Sequence, residues 1–194
     1  MDINWKIWKK TNYFNEKIFN FLFNKLNSLF NLHNINIKNY SVLEIGSGHG
    51  RYTFIFQKLF KKVLALDSNI ELIQILNNKI SEEKFNNVST IISKFDDFSA
   101  NNKFDMILFT QSLLWIKDKQ KAILKCHKLL KKNGYLLIIE PINFLNSLKK
   151  YKANNLIIES LNTIICSKKF ILLHFFNFGL RPYKDQIIYL LKKI

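Results

Sequence analysis

Three glycines alternate with Ser47 and His49 in the stretch Glu44-Ile45-Gly46-Ser47-Gly48-His49-Gly50-Arg51, which follows a short apolar run. Glycine adopts positive φ angles without strain and lets the backbone approach a ligand closely. An apolar pattern of helical period begins after Arg51, and the start of a helix offers unpaired N–H groups. A buried strand, a tight glycine turn and a helix start therefore predict a binding site for a polar ligand at this place.

The spacing of the glycines separates this loop from two common phosphate-binding loops. The dinucleotide fingerprint has glycine at its first, third and sixth positions, and the sixth position here is Arg51. The Gly-Lys-Ser/Thr ending of the nucleoside triphosphate-binding loop is also absent. What remains is an acidic residue, Glu44, followed by three alternating glycines. A glycine turn that binds nothing is the alternative at this point.

A carboxylate, Asp67, ends the next apolar run, Lys62-Val63-Leu64-Ala65-Leu66. The continuous apolar centre of this run is typical of a parallel strand that is covered on both faces. An acidic group at the tip of the second strand can accept two hydrogen bonds from ribose hydroxyls. Its other role would be to cap the helix that begins near Ile70, but a ribose contact explains its position after the glycine loop more completely. Loop and carboxylate together predict a ligand that carries a ribose.

Strands alternate with helices along most of the chain, as judged from apolar periodicity. Strands are predicted over residues 41–45, 62–67, 88–92, 104–110 and 135–140, and helices over 51–60, 70–80 and 119–132. Asn133-Gly134 is a typical end for the last of these helices. The alternation predicts an open parallel sheet that is covered by helices.

Both ends of the chain depart from this alternation. Residues 1–39 predict one or two amphipathic helices before the first strand. Helical patterns are also predicted within 144–166 and over 168–177, and Gly179 would stop the second of these. Two last strands, over 180–183 and 186–191, would then close the sheet as a hairpin.

The stretch from Glu44 to Gly50 resembles the first motif of the class I S-adenosylmethionine-dependent methyltransferases. The resemblance covers about residues 41–140 and includes the Phe104-Asp105 opening of the fourth strand. It implies a Rossmann-like three-layer α/β/α sandwich, with a mostly parallel seven-stranded sheet and an antiparallel last strand. It also implies a methyltransferase domain over residues 41–194, which follows an N-terminal helical lid or extension over residues 1–40.

The same resemblance implies S-adenosylmethionine as the cofactor, S-adenosylhomocysteine as the product and no metal. The cofactor-binding residues that it implies are Glu44, Gly46, Ser47, Gly48, Gly50, Arg51, Asp67, Ser68, Phe95, Asp96 and Gln111. Within this set Arg51 would pair with the cofactor's carboxylate, while Phe95 and Asp96 would lie at the adenine edge. The chain departs from the family at Lys94, where many members have an Asp that accepts from the adenine amino group.

The acceptor side carries fewer signals. The Asn/Asp-Pro-Pro-aromatic tetrad of methyltransferases that act on adenine or glutamine nitrogen is missing after the fourth strand, and so is a Pro-Cys nucleophile. Instead, Ser112-Leu113-Leu114-Trp115 resembles the aromatic loop of many small-molecule methyltransferases. The acceptor-binding residues implied by the resemblance are Trp5, Tyr13, Trp115 and Glu140. The alternatives are that the aromatic residues only anchor helices or the core, and that Glu140 caps a helix at Ile142.

A catalytic base is needed only if the acceptor carries a proton at the moment of attack. His49 is the loop residue that titrates near neutral pH, so it is the candidate. In the family, the residue at this place more often lines the methionine pocket, and that role is the alternative.

The net charge of +16 raises the question of nucleic acid binding. Of the 30 basic residues only Arg51 and Arg181 are arginine, although nucleic-acid faces generally use arginine for bidentate contacts. Lysine, asparagine, isoleucine and phenylalanine, which have AT-rich codons, are abundant throughout, so genome composition accounts for much of the bias. A solvated basic surface is therefore favoured over a functional basic face.

The sequence favours a small-molecule methyl acceptor. A protein N-terminus or side chain comes second, RNA comes third, and a non-catalytic subunit with the same fold is the alternative of a different class. No apolar run reaches the ~18 residues of a membrane span, and the N-terminus does not resemble a signal peptide. Since Cys126 and Cys166 imply no disulfide framework, a cytoplasmic protein is expected, and the oligomeric state is left open.

Overall fold

The structure is a computed structural model that describes residues 16–141, 162, 168–180 and 183–194. The chain divides into two compact units, Met1–Asn36 and Ile37–Ile194. Trp5 and Tyr13, the two acceptor-side candidates near the N-terminus, lie outside the described residues, as do most of the helices predicted within 144–166.

The described part of the first unit is one helix, α1 (Glu16–Leu32). Its buried side chains include Leu22, Leu26 and Leu29, which recur at helical spacing, so the predicted amphipathic helix is confirmed here. The helix stops at a turn in which Asn34 has a φ of 53°, a left-handed conformation that asparagine tolerates well. The role of this segment as a lid stays a prediction.

The second unit is built on a seven-stranded sheet with the order β3-β2-β1-β4-β5-β7-β6. Its strands are β1 (Ser41–Ile45), β2 (Lys62–Asp67), β3 (Val88–Ile92), β4 (Phe104–Thr110), β5 (Leu130–Pro141), β6 (Phe170–Leu180) and β7 (Tyr183–Lys193). The strands from β1 to β5 run parallel, and β7 lies antiparallel between β5 and β6. The fold class predicted from the sequence is therefore confirmed, including the antiparallel last strand.

Helices cover both faces of this sheet. The helices are α2 (Thr53–Leu59), α3 (Ile70–Glu82) and α4 (Lys119–Leu129), and a short 3₁₀ turn spans Leu113–Trp115. On one face Leu43 and Ile107 share a buried cluster with Ile123 of α4. On the other face Ala65 of β2 packs with Ile73 and Leu76 of α3. The continuous apolar runs of the central strands are explained by this double burial.

The helix predicted over residues 168–177 is wrong, because this segment is the edge strand β6. It pairs with β7 from Phe170, opposite Lys193, to Leu180, opposite Tyr183. A short apolar run has no periodicity that separates a helix from a strand, and the aromatic content of this run favours the strand. The predicted C-terminal hairpin is confirmed in outline, with longer strands than expected.

The end of α4 also differs from the prediction. The helix ends at Leu129 rather than near residue 132, because Leu130 is buried and already pairs with Phe104 of β4. Asn133 has the expected left-handed conformation, with a φ of 60°. It lies inside β5, next to a shift in the β4–β5 register, and so it belongs to a strand irregularity instead of a helix end.

Candidate functional site

The glycine loop crosses the carboxyl ends of β1 and β2. Gly46, Gly48 and Gly50 have φ angles of 74°, 57° and 93°, all in the region that favours glycine. The N–H groups of Gly46 and Ser47 donate to the carbonyl of Leu66, over 2.7 and 3.1 Å. A Cβ atom on Gly46 would overlap Ser112 Cβ, and one on Gly50 would lie 2.5 Å from Leu76 Cδ1. The loop is therefore a closely packed backbone turn with no room for side chains at these two positions.

Asp67, at the end of β2, holds the middle of this loop. Its Oδ2 accepts from the N–H of Gly48 and its Oδ1 from the N–H of Asn69, each over 2.8 Å. The cap of α3 is Asn69, whose side chain accepts from the N–H of Leu72, so the alternative role of Asp67 as the helix cap is wrong. Each carboxylate oxygen can accept a second hydrogen bond. The geometry is compatible with the ribose contact, which stays a prediction, as does the contact of the exposed Ser68.

Glu44 lies behind the loop, completely buried. Its carboxyl oxygens accept from the hydroxyls of Thr53, over 2.6 Å, and Thr110, over 3.1 Å. Burial raises the pKa of Glu44 to about 8, although the two threonine hydrogen bonds act in the opposite direction. Glu44 thus connects β1 with β4 and with the start of α2 from inside the protein, and its predicted contact with the cofactor stays a prediction.

The polar side chains of the loop have contrasting environments. The hydroxyl of Ser47 is buried and has no hydrogen-bond partner among the described residues. Burial, and then the nearby charges of Lys79 and Arg51, lower the pKa of His49 to about 4. The imidazole is therefore neutral at neutral pH, but it is also a weak base. The catalytic role of His49 and the carboxylate contact of the buried Arg51 stay predictions.

The loop after β3, which was predicted to meet the adenine, is attached to α4. The ring of Phe95 is buried and packs edge-on against Phe109, with 5.9 Å between the ring centroids. The ammonium of Lys125 donates to the carbonyl oxygens of Phe95 and Asp96, over 2.6 and 2.8 Å. The side chains of Asp96 and Asp97 are exposed. The structure thus fixes the loop's backbone, and the adenine contacts of Phe95 and Asp96 stay predictions.

Gln111 follows β4 directly and has a positive φ of 59°. Its side-chain Nε2 donates to the hydroxyl of Tyr52 over 3.2 Å and to Oε1 of Gln186 over 3.4 Å. Gln186, on β7, is 1% exposed, and its Nε2 is buried without a hydrogen-bond partner among the described residues. Sequence reasoning named Gln111 but missed Tyr52 and Gln186. No sequence motif marks Tyr52 or Gln186, because these residues are distant from Gln111 in the sequence and contact it only in the folded protein.

Trp115 is the last residue of the 3₁₀ turn, and Glu140 contacts the first residue of that turn. Trp115 is 47% exposed, so the alternative that it is a buried core residue is wrong. Glu140 is fully buried, and its Oε1 accepts from the N–H of Leu113 over 2.9 Å. Burial raises the pKa of Glu140 to about 8, although backbone hydrogen bonds and Lys119 act in the opposite direction. Glu140 therefore caps the turn that carries Trp115, and acceptor binding by either residue stays a prediction.

Two negative observations complete the picture of the described residues. They contain no group of three or more His, Cys, Asp or Glu side chains that could hold a metal ion. None of the helices in this part of the chain has the length and apolarity required to cross a membrane.

Comparisons with known proteins point to one family. The family described as "Methyltransferase domain" matches residues 36–188. A ribosomal RNA small subunit methyltransferase G of Haemophilus influenzae is 30% identical over 119 residues, which is 58% of this chain and 56% of the relative. A malonyl-[acyl-carrier protein] O-methyltransferase of Calditerrivibrio nitroreducens is 32% identical over 95 residues, or 49% of this chain and 36% of the relative. The chain thus spans about half the length, or less, of these curated relatives.

A solved structure matches the fold over the whole chain. The N-methyltransferase NodS from Bradyrhizobium japonicum, in complex with S-adenosylhomocysteine, has a TM-score of 0.69 at 17% identity. The match covers 100% of this chain and 93% of the NodS chain. At this identity the likeness concerns the fold alone. Together with the family match over residues 36–188, it establishes that the chain belongs to the methyltransferase domain family and has the fold of the class I S-adenosylmethionine-dependent enzymes.

Proposed function

We propose that this protein transfers a methyl group from S-adenosylmethionine to a small-molecule acceptor. The observation that carries the donor side of the proposal is the joint position of the glycine loop and Asp67. Both lie at the carboxyl edge of the parallel sheet, where open α/β sheets bind their ligands. The N–H of Gly48 donates to Asp67, so the loop and the carboxylate form one unit that adjoins the start of α2.

The groups around this loop fit S-adenosylmethionine. Gly46 and Gly50 let the loop pack closely on Ser112 and Leu76. An added Cβ at Gly48 would meet nothing nearer than Leu72 Cδ1 at 4.0 Å, so the backbone at Gly48 allows a close approach. Ser47 supplies a buried hydroxyl without a partner among the described residues. The carboxylate of Asp67 is half-buried and retains capacity to accept from a ribose. The described residues thus offer more contacts to the methionine and ribose parts of S-adenosylmethionine than to its adenine, near which Asp96 and Asp97 are exposed.

When bound, S-adenosylmethionine would supply a methyl group on a positively charged sulfur, which is a good leaving group. The chain's own contribution is to align the acceptor with that methyl and to exclude water, and such alignment can lower a barrier by ~7–11 kcal/mol. Glu44 holds the glycine loop from behind through Thr53 and Thr110. The strained backbone of Gln111 lies at the tip of β4, next to Ser112, which contacts Gly46. Gln111 is therefore well placed to face the acceptor.

The acceptor is proposed on separate grounds. The two relatives named above act on different acceptors by their names, a ribosomal RNA and a malonyl group on acyl-carrier protein. The similarity to both relatives therefore supports S-adenosylmethionine as the methyl donor, but it does not favour one kind of acceptor over another. Arg51, the arginine that the structure describes, is buried beside the loop and does not form part of an exposed basic face. A small acceptor agrees with the enclosed polar groups near Gln111.

Asp67→Asn is expected to weaken the binding of S-adenosylhomocysteine about 10- to 100-fold, as measured by titration calorimetry. The substitution removes the negative charge and leaves one oxygen where Gly48 and Asn69 now donate to two. The matched control is Asp118→Asn, because Asp118 caps α4 and asparagine is an equally good cap. Unchanged affinity in a folded Asp67→Asn protein would contradict the proposed donor site.

RNA is a second candidate acceptor, supported by the +16 charge and by the ribosomal RNA methyltransferase relative. A labelled-methyl transfer screen over metabolite, peptide and RNA pools separates the candidates. We expect label in the metabolite pool. Filter binding to RNA over a salt series supplies the second reading, since binding that vanishes by physiological salt indicates only background attraction. Label in RNA, with binding that persists at this salt, would replace the small-molecule proposal.

A further inference from the structure

Gln186 has a polar group that nothing in the described fold satisfies. Its side chain is 1% exposed, and its Nε2 carries two N–H donors with no hydrogen-bond partner among the described residues. Buried polar groups in native proteins are nearly always paired, so an unpaired buried amide calls for an explanation. A ligand atom that accepts from this amide would supply one.

The place of Gln186 in the sheet is that of an acceptor-side residue. It lies opposite Pro141, the last residue of β5, and therefore at the carboxyl edge of the sheet. Its Oε1 accepts from the Nε2 of Gln111, which follows β4. Gln111 is followed by Ser112, whose hydroxyl donates to the carbonyl of Ile45 and whose Cβ fills the space beside Gly46. A continuous set of contacts thus links the Gln186 amide to the glycine loop.

The three side chains also fix each other's orientation. Because the oxygen of Gln186 accepts from Gln111, its amide nitrogen is the end that is left unpaired. Gln111 is held in turn by the hydroxyl of Tyr52, whose ring is buried and stacks on Phe56. An oriented amide that offers only N–H groups selects a ligand oxygen that accepts, and disfavours an ammonium or another pure donor.

We propose that Gln186 recognises the methyl acceptor by donating to a carbonyl or carboxylate oxygen of that molecule, with Gln111 and Tyr52 as positioning residues. This inference rests on the proposed function, because it assumes that the carboxyl edge of β4 and β5 faces the transferred methyl. The acceptor is therefore a small molecule that carries a carbonyl or carboxylate oxygen near the methylated atom. The lysine-rich charge of the chain favours a carboxylate at low salt.

The direct test observes the Gln186 side-chain amide by ¹⁵N NMR in protein that is saturated with S-adenosylhomocysteine. Acetate, acetamide and methylammonium serve as probes, with sodium chloride at matched ionic strength. The internal control is the Asn87 side-chain amide, which donates to the carbonyls of Gln57 and Phe60 and has no link to the site. We expect a saturable shift of the Gln186 signal with acetate or acetamide and none with methylammonium. A shift with acetate alone would mean that the group recognised by Gln186 is a carboxylate. Shifts with both acetate and acetamide would mean that Gln186 accepts either a carboxylate or a carbonyl oxygen as its partner.

A pair of variants separates recognition from a structural role. Gln186→Leu keeps the bulk but removes both the unpaired nitrogen and the oxygen that accepts from Gln111, which the hydroxyl of Tyr52 still holds. Thermal stability should therefore be nearly unchanged, and S-adenosylhomocysteine affinity should stay within about twofold. Label transfer into the metabolite pool should fall by about tenfold or more, through a higher KM. Gln186→Glu replaces the donor by an oxygen and should lose transfer to the same extent.

The outcomes distinguish this inference from the function on which it rests. If S-adenosylhomocysteine binds but acetate and acetamide leave the Gln186 signal in place, the inference is wrong and the donor site stands. A destabilised Gln186→Leu protein that transfers label normally would show that Gln186 is structural, and would also overturn the inference. Failure of S-adenosylhomocysteine to bind the native chain removes the proposed function and the inference with it.

Discussion

Gly46→Ala should strongly destabilise the folded protein. The new Cβ would overlap Ser112 Cβ, and the φ of 74° is unfavourable for any residue with a side chain. The left-handed backbone costs about 1–2 kcal/mol and the overpacking about 1–3 kcal/mol, so we expect a loss of about 2–5 kcal/mol in the free energy of unfolding. Denaturant unfolding measures this loss directly.

Gly48→Ala is the matched control for the steric part of this prediction. Its φ of 57° is also left-handed, but its added Cβ would meet nothing closer than Leu72 Cδ1, at 4.0 Å. We therefore expect only the backbone cost of about 1–2 kcal/mol. S-adenosylhomocysteine affinity should fall further in Gly46→Ala than in Gly48→Ala, since only the first variant must displace the loop from the tip of β4.

A double-mutant cycle with Ser112→Gly identifies the clash as the cause. Ser112→Gly alone should cost about 1 kcal/mol through the lost hydrogen bond to the carbonyl of Ile45. In combination with Gly46→Ala it removes the overlapping atom, so the double variant should be more stable than the sum of the two single changes implies. Simple additivity would mean that the two side chains do not clash and that Gly46 does not pack against Ser112 in the folded protein.

The first half of the fold follows closely from local sequence. The strands at Ser41–Ile45, Lys62–Asp67 and Phe104–Thr110 begin and end where the apolar runs predict, because each run is bounded by polar residues or turns. The C-terminal part is different. The strand β6 is established by its pairing with β7, because its apolar sequence also fits a helix even though its aromatic content favours a strand. Pairing between distant segments is not encoded in a local window.

In the candidate site, too, some residues are marked by local sequence and others are recognised only from the fold. Glycine spacing and the position of Asp67 are local signals, and the structure places Asp67 on the N–H of Gly48. Gln186 lacks such a signal, because a glutamine in a strand acquires meaning only when Gln111 and Tyr52 meet it. Glu140 is instructive in another way. The predicted cap concerns a helix at Ile142, outside the described residues, whereas the Oε1 of Glu140 accepts from the N–H of Leu113, on the turn after β4.

The free energy of unfolding should fall as the pH rises from about 5 to about 9, because two carboxyl groups are buried in protonated form. Burial raises the pKa values of Glu44 and Glu140 from 4.5 to about 8. Between these limits the folded protein binds protons that the unfolded chain releases, so raising the pH favours unfolding. The stabilisation is complete below pH 4.5 and is lost as the pH passes through about 8. Its size is on the order of 3–5 kcal/mol for each carboxyl.

Burial keeps both carboxyls protonated at neutral pH, although hydrogen bonds to each of them lower its pKa. Glu44 faces the uncharged hydroxyls of Thr53 and Thr110, and the negative charge of Asp67 raises its pKa further. Glu140 receives backbone N–H groups and the field of Lys119, which both favour its ionised form. Burial outweighs them.

Glu44→Gln and Glu140→Gln imitate the protonated forms and should keep most of the stability at pH 6 to 7. The amide oxygen of Glu140→Gln can still accept from the N–H of Leu113, and the hydroxyls of Thr53 and Thr110 can both donate and accept. The double variant should lose most of the fall in melting temperature between about pH 6 and about pH 9. The control is Glu82→Gln, the same change at an exposed position on α3, which should keep the native pH dependence.

Subtracting the pH profile of the double variant from that of the native chain isolates the two carboxyls. The depressed pKa values of His49 and His127 act in the opposite direction below about pH 6.5, since both imidazoles are neutral in the folded protein and gain stability as the pH rises, but they are common to both proteins. The difference should therefore decrease steadily from about pH 5 to about pH 9 and then level off. A flat difference would mean that both carboxyls are ionised in the folded protein. Glu44 would then present a negative charge behind the glycine loop, and the acceptor site beside Gln111 would be less suited to a carboxylate.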